Sequence, residues 1–189
     1  MNPLIAYLDA LKPIPAEDEA VITAAFETKT YNENDYLFRG GRVCDETFFI
    51  IKGVVRIVSV NDKGVEVTHY FYDEDHFCTI MQSFNEETPT DTHIQACCGV
   101  EALVITKKRL HALYKRFPYI KELMERINQQ QLLEKVNLRN TYVGEDAESQ
   151  YKLFVMQHAA IALRVPVKDI ASFLGITPQS LSRIRKNIR

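Results

Sequence analysis

The residue types best able to do chemistry in this chain gather near its C-terminal end. Residues 177–187 read Thr-Pro-Gln-Ser-Leu-Ser-Arg-Ile-Arg-Lys-Asn. Wound as a helix, the segment puts Leu181, Ile184 and the next apolar residue, Ile188, on one face. Gln179, Ser182, Arg183 and Lys186 fall on the other, with Ser180 and Asn187 at its margins. A guanidinium, an amide and hydroxyls on one face suit the edges of bases in a duplex major groove. Arg183 can fork onto a guanine and Gln179 can bridge an adenine. Thr177 or Ser180, near the helix start, can reach a phosphate. Lys168, Arg185 and Arg189 are further candidates for phosphate contacts.

The residues just upstream are those needed to position such a helix. Val167, Ile170 and Leu174 form the apolar face of a first helix, and Ala171 supplies the small side chain required where two helices cross closely. Gly175 stands where that helix must stop with a positive φ. Thr177-Pro178 then makes a helix start, with a hydroxyl to cap a free N–H and a proline preset for the first turn. The pattern is a helix-turn-helix with a basic outward face. Charge agrees with it. Residues 151–189 hold seven basic side chains (Lys152, Arg164, Lys168, Arg183, Arg185, Lys186, Arg189) against one acid, Asp169, a surplus of six. The whole chain sums to −2, so the first 150 residues carry −8. A basic tail on an acidic body points to a polyanion partner, and the other reading of the charge alone is a solvated face.

The chain as a whole has 189 residues, 46% of them hydrophobic and 25% charged, a composition that excludes disorder and fibrous architectures. A chain of this length buries roughly 70% of its unfolded surface and needs neither disulfide nor metal to hold a core. Its four cysteines, Cys44, Cys78, Cys97 and Cys98, form no CxxC pair and show no zinc spacing. Cys97-Cys98 are expected in an alternating strand, one inward and one outward, with a packing role by default and a redox switch as the alternative. Its five histidines (His69, His76, His93, His111, His158) are scattered, none two residues from another. That spacing argues against a metal-dependent enzyme on a cupin-like roll, the rival reading. A second rival is a small-molecule-binding module whose basic tail docks a protein. The N-terminus lacks a signal-peptide pattern and no run approaches 18 apolar residues, so a cytoplasmic protein without membrane segments is expected.

Stepping upstream, residues 3–27 read as helix in two apolar runs. Residues 28–106 break into short runs rich in Val, Ile, Phe, Tyr and Thr, such as Phe48-Phe49-Ile50-Ile51 and Val54-Val55-Arg56-Ile57-Val58. Asn61-Asp62-Lys63-Gly64 is a hairpin signal. Short strands without intervening helices predict a closed antiparallel barrel or roll. Helical spacing returns at Lys107–Tyr114 and again in a long helix from Pro118 to about Asn140. That long helix either packs wholly on its own barrel or turns one face to a partner helix. In the second case Leu123, Ile127, Gln130 and Gln131 are the pairing residues, with the glutamines near the crossing. Tyr142–Asp146 reads as a hinge.

Taken together, the segments Thr47–Ile57, Asn61–Gly64 with its following strand, and Ile170–Ile184 make the chain resemble the Crp/Fnr superfamily of bacterial transcription regulators. The resemblance spans nearly all of the chain and implies an α+β protein. Residues 1–116 would form a cyclic-nucleotide-binding-like antiparallel β-roll (a double-stranded β-helix) with flanking helices. Residues 117–143 would be a dimerisation helix and hinge, and 144–189 a helix-turn-helix domain. Implied partners are double-stranded DNA, a second copy of the chain and RNA polymerase, and no catalysis is implied.

Four departures qualify the resemblance. Laid on this chain without gaps, the family's cyclic-phosphate cassette spans Phe77–Ala96, and its Gly-Glu and Arg-Ser pairs fall on Thr79-Ile80 and Thr90-Asp91. A lost interior charge partner costs about 2–5 kcal/mol, or tens- to thousands-fold in affinity. Asp91 would also repel a phosphate, which argues against cyclic AMP and cyclic GMP. Phe71, Thr79, Gln82, Thr90 and Asp91 would then line a remodelled effector pocket, or side chains would fill the roll; the effector is unknown. No cysteine precedes Cys44, so the iron–sulfur cluster of the oxygen-sensing branch is not expected, nor is any other cofactor. The sequence stops directly after the second helix, so the β-hairpin wing of many members would be missing, as in a shortened Bacteroidetes-type branch. Pro178 replaces a commonly polar recognition position, implying a different base sequence.

Overall fold

The computed structural model describes residues 2–188. Eight strands among the described residues form two four-stranded antiparallel sheets. One has the order β1 (Glu27–Tyr31), β8 (Val100–Thr106), β3 (Glu46–Lys52), β6 (Phe77–Cys78). The other runs β2 (Tyr36–Phe38), β7 (His93–Ala96), β4 (Val55–Val60), β5 (Glu66–Tyr72). This is the expected α+β roll. The β4–β5 hairpin turns at Asn61–Gly64, where the Asn61 carboxamide oxygen accepts the N–H groups of Lys63 and Val65 at 3.0 Å each.

Strand periodicity explains the layers. In β3, Phe48 and Ile50 point between the sheets while Phe49 and Ile51 point away, and in β8 Ala102 and Val104 alternate in the same way with Leu103 and Ile105. Both faces of the first sheet are therefore covered, which is why its strands read as unbroken apolar runs. Its outer face is sealed by α1 (Pro3–Leu11), α2 (Ala16–Ala24), α4 (Lys107–Arg116) and α5 (Pro118–Tyr142), through Leu4, Leu8, Ile22, Leu110, Leu123 and Ile127. Each such side chain contributes about 1.5–3 kcal/mol on full burial. The helical stretch read over residues 3–27 is broken at Lys12–Pro15. Pro13 and Pro15 bring no N–H to a continuous helix, and the Asp9 carboxylate takes the Ile14 N–H at 2.9 Å instead.

The second sheet alternates differently. Val55, Ile57, Tyr70, Tyr72, Ile94 and Ala96 face the interior, while Arg56, Gln95 and Phe71 face out. That outer face is covered by the tail helices α6 (Ala147–Gln157), α7 (Ala159–Arg164), α8 (Val167–Phe173) and α9 (Pro178–Asn187). Cys97 and Cys98 lie in the turn after β7 rather than in a strand. Cys97 is buried and Cys98 half-buried, and both meet this third cluster, so they do not point to opposite faces as expected.

Candidate nucleic-acid interface

The helix-turn-helix forms where its signals predict. α8 ends at Phe173 with Leu174 as its C-cap, and Gly175 takes φ +68°. The Ile176 N–H reaches the Ala171 carbonyl at 3.0 Å and the Gly175 N–H reaches Ser172 at 3.2 Å, the bonding of a Schellman stop. Thr177 caps α9, its Oγ1 accepting the Ser180 N–H at 3.1 Å. Leu181 is fully buried against the other tail helices, and Ala171 is too.

The opposite face is open. Gln179, Ser182, Arg183 and Lys186 are all exposed, along with Ser180 and Asn187. Three expectations change. Thr177 Oγ1 donates to Ser180 Oγ at 3.0 Å while capping the helix, so the Thr177 hydroxyl is committed to the helix start, whereas exposed Ser180 keeps its own O–H free to donate. Arg185 falls about 40° around the helix from Leu181. It is accordingly half-buried and lines a groove with Tyr151, Val155 and Ile188, so it is turned toward α6 and not toward the reading face. Ile188, expected inward, is 41% exposed at the helix end. Lys168 is exposed at the start of α8, and Arg189 lies outside the described residues.

What holds this unit was not read from the sequence. Arg56 is 2% exposed, and its Nη1 stands 2.8 Å from Asp169 on α8. The same guanidinium pairs with Glu66 and donates to Gln95 Oε1 and Thr68 Oγ1. Ser172 Oγ accepts the Thr68 N–H and donates to the Glu66 carbonyl, both at 2.9 Å. A second link joins α7 to the roll, with Arg164 gripping Glu74 through both guanidinium ends. Burial alone would raise the Glu74 carboxyl, yet the hydrogen bond from Arg164, aided by the Gly53 N–H, leaves it below the usual range. For Asp169 burial prevails over Arg56, and its pKa is raised. The Tyr142–Asp146 segment, read as a hinge, starts with half-buried Tyr142 at the end of α5 and continues as an exposed turn with Gly144 at φ +84°, but the helices beyond it are docked on the roll.

The expected effector pocket does not assemble. Phe71 faces the tail, stacking near Phe154 and Phe173. Thr79 donates to the Glu46 carbonyl beneath the short helix α3 (Met81–Glu86). Gln82 is exposed and bonds Glu86. The Thr90 N–H and carbonyl pair with Arg42 and Gly41, and exposed Asp91 sits against Gly40, where an added Cβ would come 2.7 Å from the Asp91 backbone. These five residues share no cavity, and Phe38, Phe48, Ile50, Val55 and Ile94 fill the space between the sheets, with Ile80 packed on them.

The expected pairing face also shifts. Leu123 and Ile127 are buried in the protein's own core, so they cannot supply a contact to another chain, and Gln131 is buried as well. Gln130 is exposed and bonds Glu134. The apolar surface that α5 leaves open is Leu132, Leu133 and Val136, which lies around the helix from Leu123, with Leu132 about half a turn away.

The architecture is thus a β-roll, a long helix and a docked tail that ends in two helices joined by a tight turn. Residues 28–117 match the cyclic nucleotide-binding domain family. The whole chain is similar in structure to an Eubacterium rectale protein assigned to the crp/fnr family of transcriptional regulators, with TM-score 0.73, 14% identity, and coverage of 96% of this chain and 87% of that one. It is also similar to the c-di-GMP responsive global regulator CLP of Xanthomonas campestris, with TM-score 0.69, 16% identity, and coverage of 92% and 91%. The catabolite activator protein of Thermus thermophilus matches with TM-score 0.57, 16% identity, and coverage of 96% and 86%. No curated protein matches the chain in sequence. Among the described residues, no helix is long and apolar enough to cross a membrane.

Proposed function

We propose that the protein is a sequence-specific DNA-binding transcription regulator that acts as a homodimer on a palindromic site in the cytoplasm. The observation that carries this reading is the exposed face of Gln179, Ser182, Arg183 and Lys186 on a capped helix whose other side is anchored by Leu181. The fold shared with Crp/Fnr-type regulators supports it. Pairing of two copies through Leu132, Leu133 and Val136 of α5 would set two α9 helices about 34 Å apart, so that they enter successive major grooves. RNA polymerase as a further partner rests on the family resemblance. The protein is not an enzyme and needs no cofactor in this reading. Cyclic AMP and cyclic GMP are not its ligands, because Ile80 and Thr90 stand where the family's carboxylate and arginine hold the nucleotide and the roll interior is filled.

The test is fluorescence anisotropy with duplexes selected from random sequence. Counterion release at six or more phosphates predicts an affinity loss on the order of 10³-fold between 50 and 200 mM salt. A flat salt response overturns DNA as the partner. Calorimetry with cyclic AMP is expected to show no binding at micromolar concentrations, and a clear isotherm overturns that part of the reading.

A further inference from the structure

Away from the roll interior, a half-enclosed cavity of about 250 Å³ lies between the β3–β6 edge, α3, α4 and α5. Its walls mix apolar side chains such as Phe77, Leu110 and Met124 with polar ones such as Thr47, Tyr114 and Asn128. One polar group stands out among them. Gln131 is 7% exposed and lines the cavity, and its amide Nε2 is fully buried with no hydrogen-bond partner. A buried donor left unpaired is destabilising by about 1–3 kcal/mol, so native proteins satisfy nearly all of them. An apolar side chain would fill this position without that penalty.

The rest of the lining defines what could pair with it. The charged residues, Lys121, Glu125 and His111, are exposed at the rim, and no arginine lines the space, so neither a phosphate nor another ion finds a buried counter-charge. Burial pushes the Tyr114 phenol up to about 12, which marks the wall as poorly hydrated. The roof is α3, a helix with no side-chain cap at its start and a left-handed residue, Glu87, at its end. Met81 on that roof is 39% exposed and Met124 beneath it is buried, two flexible thioether chains that can adapt to an inserted group.

We infer that this cavity binds a small, uncharged molecule carrying a hydrogen-bond acceptor, such as a ketone or ester carbonyl, which the Gln131 amide holds. The site stands independently of DNA binding. A bound molecule bridges α3 of the roll and the long helix α5, and its acceptor pairs the buried Gln131 Nε2 that the protein itself leaves without a partner.

Methyl NMR of the full chain with 13C-labelled methionine tests this, because Met81 and Met124 line the cavity while Met156 sits exposed on α6. The probes are acetophenone and ethylbenzene, similar in shape but differing in the acceptor. Acetophenone is expected to shift the Met81 and Met124 methyls saturably and leave Met156 unmoved. Ethylbenzene is expected to bind at least about fivefold more weakly, the ratio that corresponds to one unpaired donor. In Gln131→Leu, checked for an unchanged fold by its remaining methyl spectrum, the preference is expected to vanish. Unmoved Met81 and Met124 signals overturn the proposal. So does equal binding of the two probes by the native chain, or a preference that survives in Gln131→Leu.

Discussion

Arg56 on β4 and Asp169 on α8 meet at 2.8 Å, both almost wholly buried, and their pairing ties the first helix of the helix-turn-helix to the outer face of the second sheet. The tail is thereby an extension of the roll's own packing. The direction in which α9 presents its basic face is set by the roll, because Asp169 and Ser172 both bond to strand residues.

Removing one partner leaves a buried charge. Arg56→Ala is expected to lose about 3–5 kcal/mol of stability, because Asp169 stays desolvated without its cation. Asp169→Asn is expected to lose less, since Arg56 keeps Glu66, Gln95 and Thr68. Replacing both by apolar residues, Arg56→Met with Asp169→Leu, should recover most of the loss. Urea unfolding of the singles and the double checks this, and additive losses would show that the pair is uncoupled.

Acidity acts on the turn between β5 and β6 through His76, whose Nδ1 lies 3.0 Å from Asp73. Burial works against its charge, but the hydrogen bond and the charge of Asp73 leave its pKa raised above 6.5. A raised folded value means that the stabilisation is complete below about 6.5 and is lost as pH climbs through the higher folded value. His158 has the opposite sign, since burial lowers its pKa and its buried Nε2 has no partner. An NMR titration is expected to place the His76 midpoint above that of His158. In His76→Asn, stability should stop falling between neutral and mildly alkaline pH.

On the reading face, Arg183→Ala is expected to weaken DNA binding by about 1–3 kcal/mol and to relax preference at one base per half-site. Lys186→Ala should weaken all sequences alike and lower the salt slope by about 1. Both residues are exposed, so neither change should move the unfolding midpoint. Loss of binding accompanied by a lower midpoint would mean that the face is structural.

For α5, Leu132→Glu with Val136→Glu is expected to give a folded monomer in analytical ultracentrifugation. Leu123→Ala, by contrast, should cost about 2–5 kcal/mol of stability through the cavity it leaves in the roll's helical cover. A protein whose mass is unchanged by the glutamates would place the subunit contact elsewhere.

Much of this molecule was legible from sequence because its signals are local. The Gly175 stop, the Thr177-Pro178 start and the Asn61–Gly64 turn each depend on residues within about five positions, whose backbone preferences no distant contact overrides. The alternation of Phe48–Ile51 likewise announces a strand buried on both sides. The helices α6 and α7 went unread, although Asp146 caps the first of them by accepting the Ser149 N–H at 2.8 Å, and Tyr151, Phe154 and Ile161 mark their buried side.

Periodicity finds the apolar side of a helix but does not say what covers it. Leu123 and Ile127 were as suited to a partner as to the roll, and only the packed structure assigned them to the roll and left Leu132 and Val136 open. The same holds for Arg56, which in sequence is one cation in a strand. Its role depends on Asp169, far along the chain, and Gln131 gains meaning only from the cavity around it. By itself the sequence decided which elements form, since backbone preference acts over a turn or two. Which faces meet was decided by tertiary packing, because burial and charge pairing depend on neighbours brought together only by the fold.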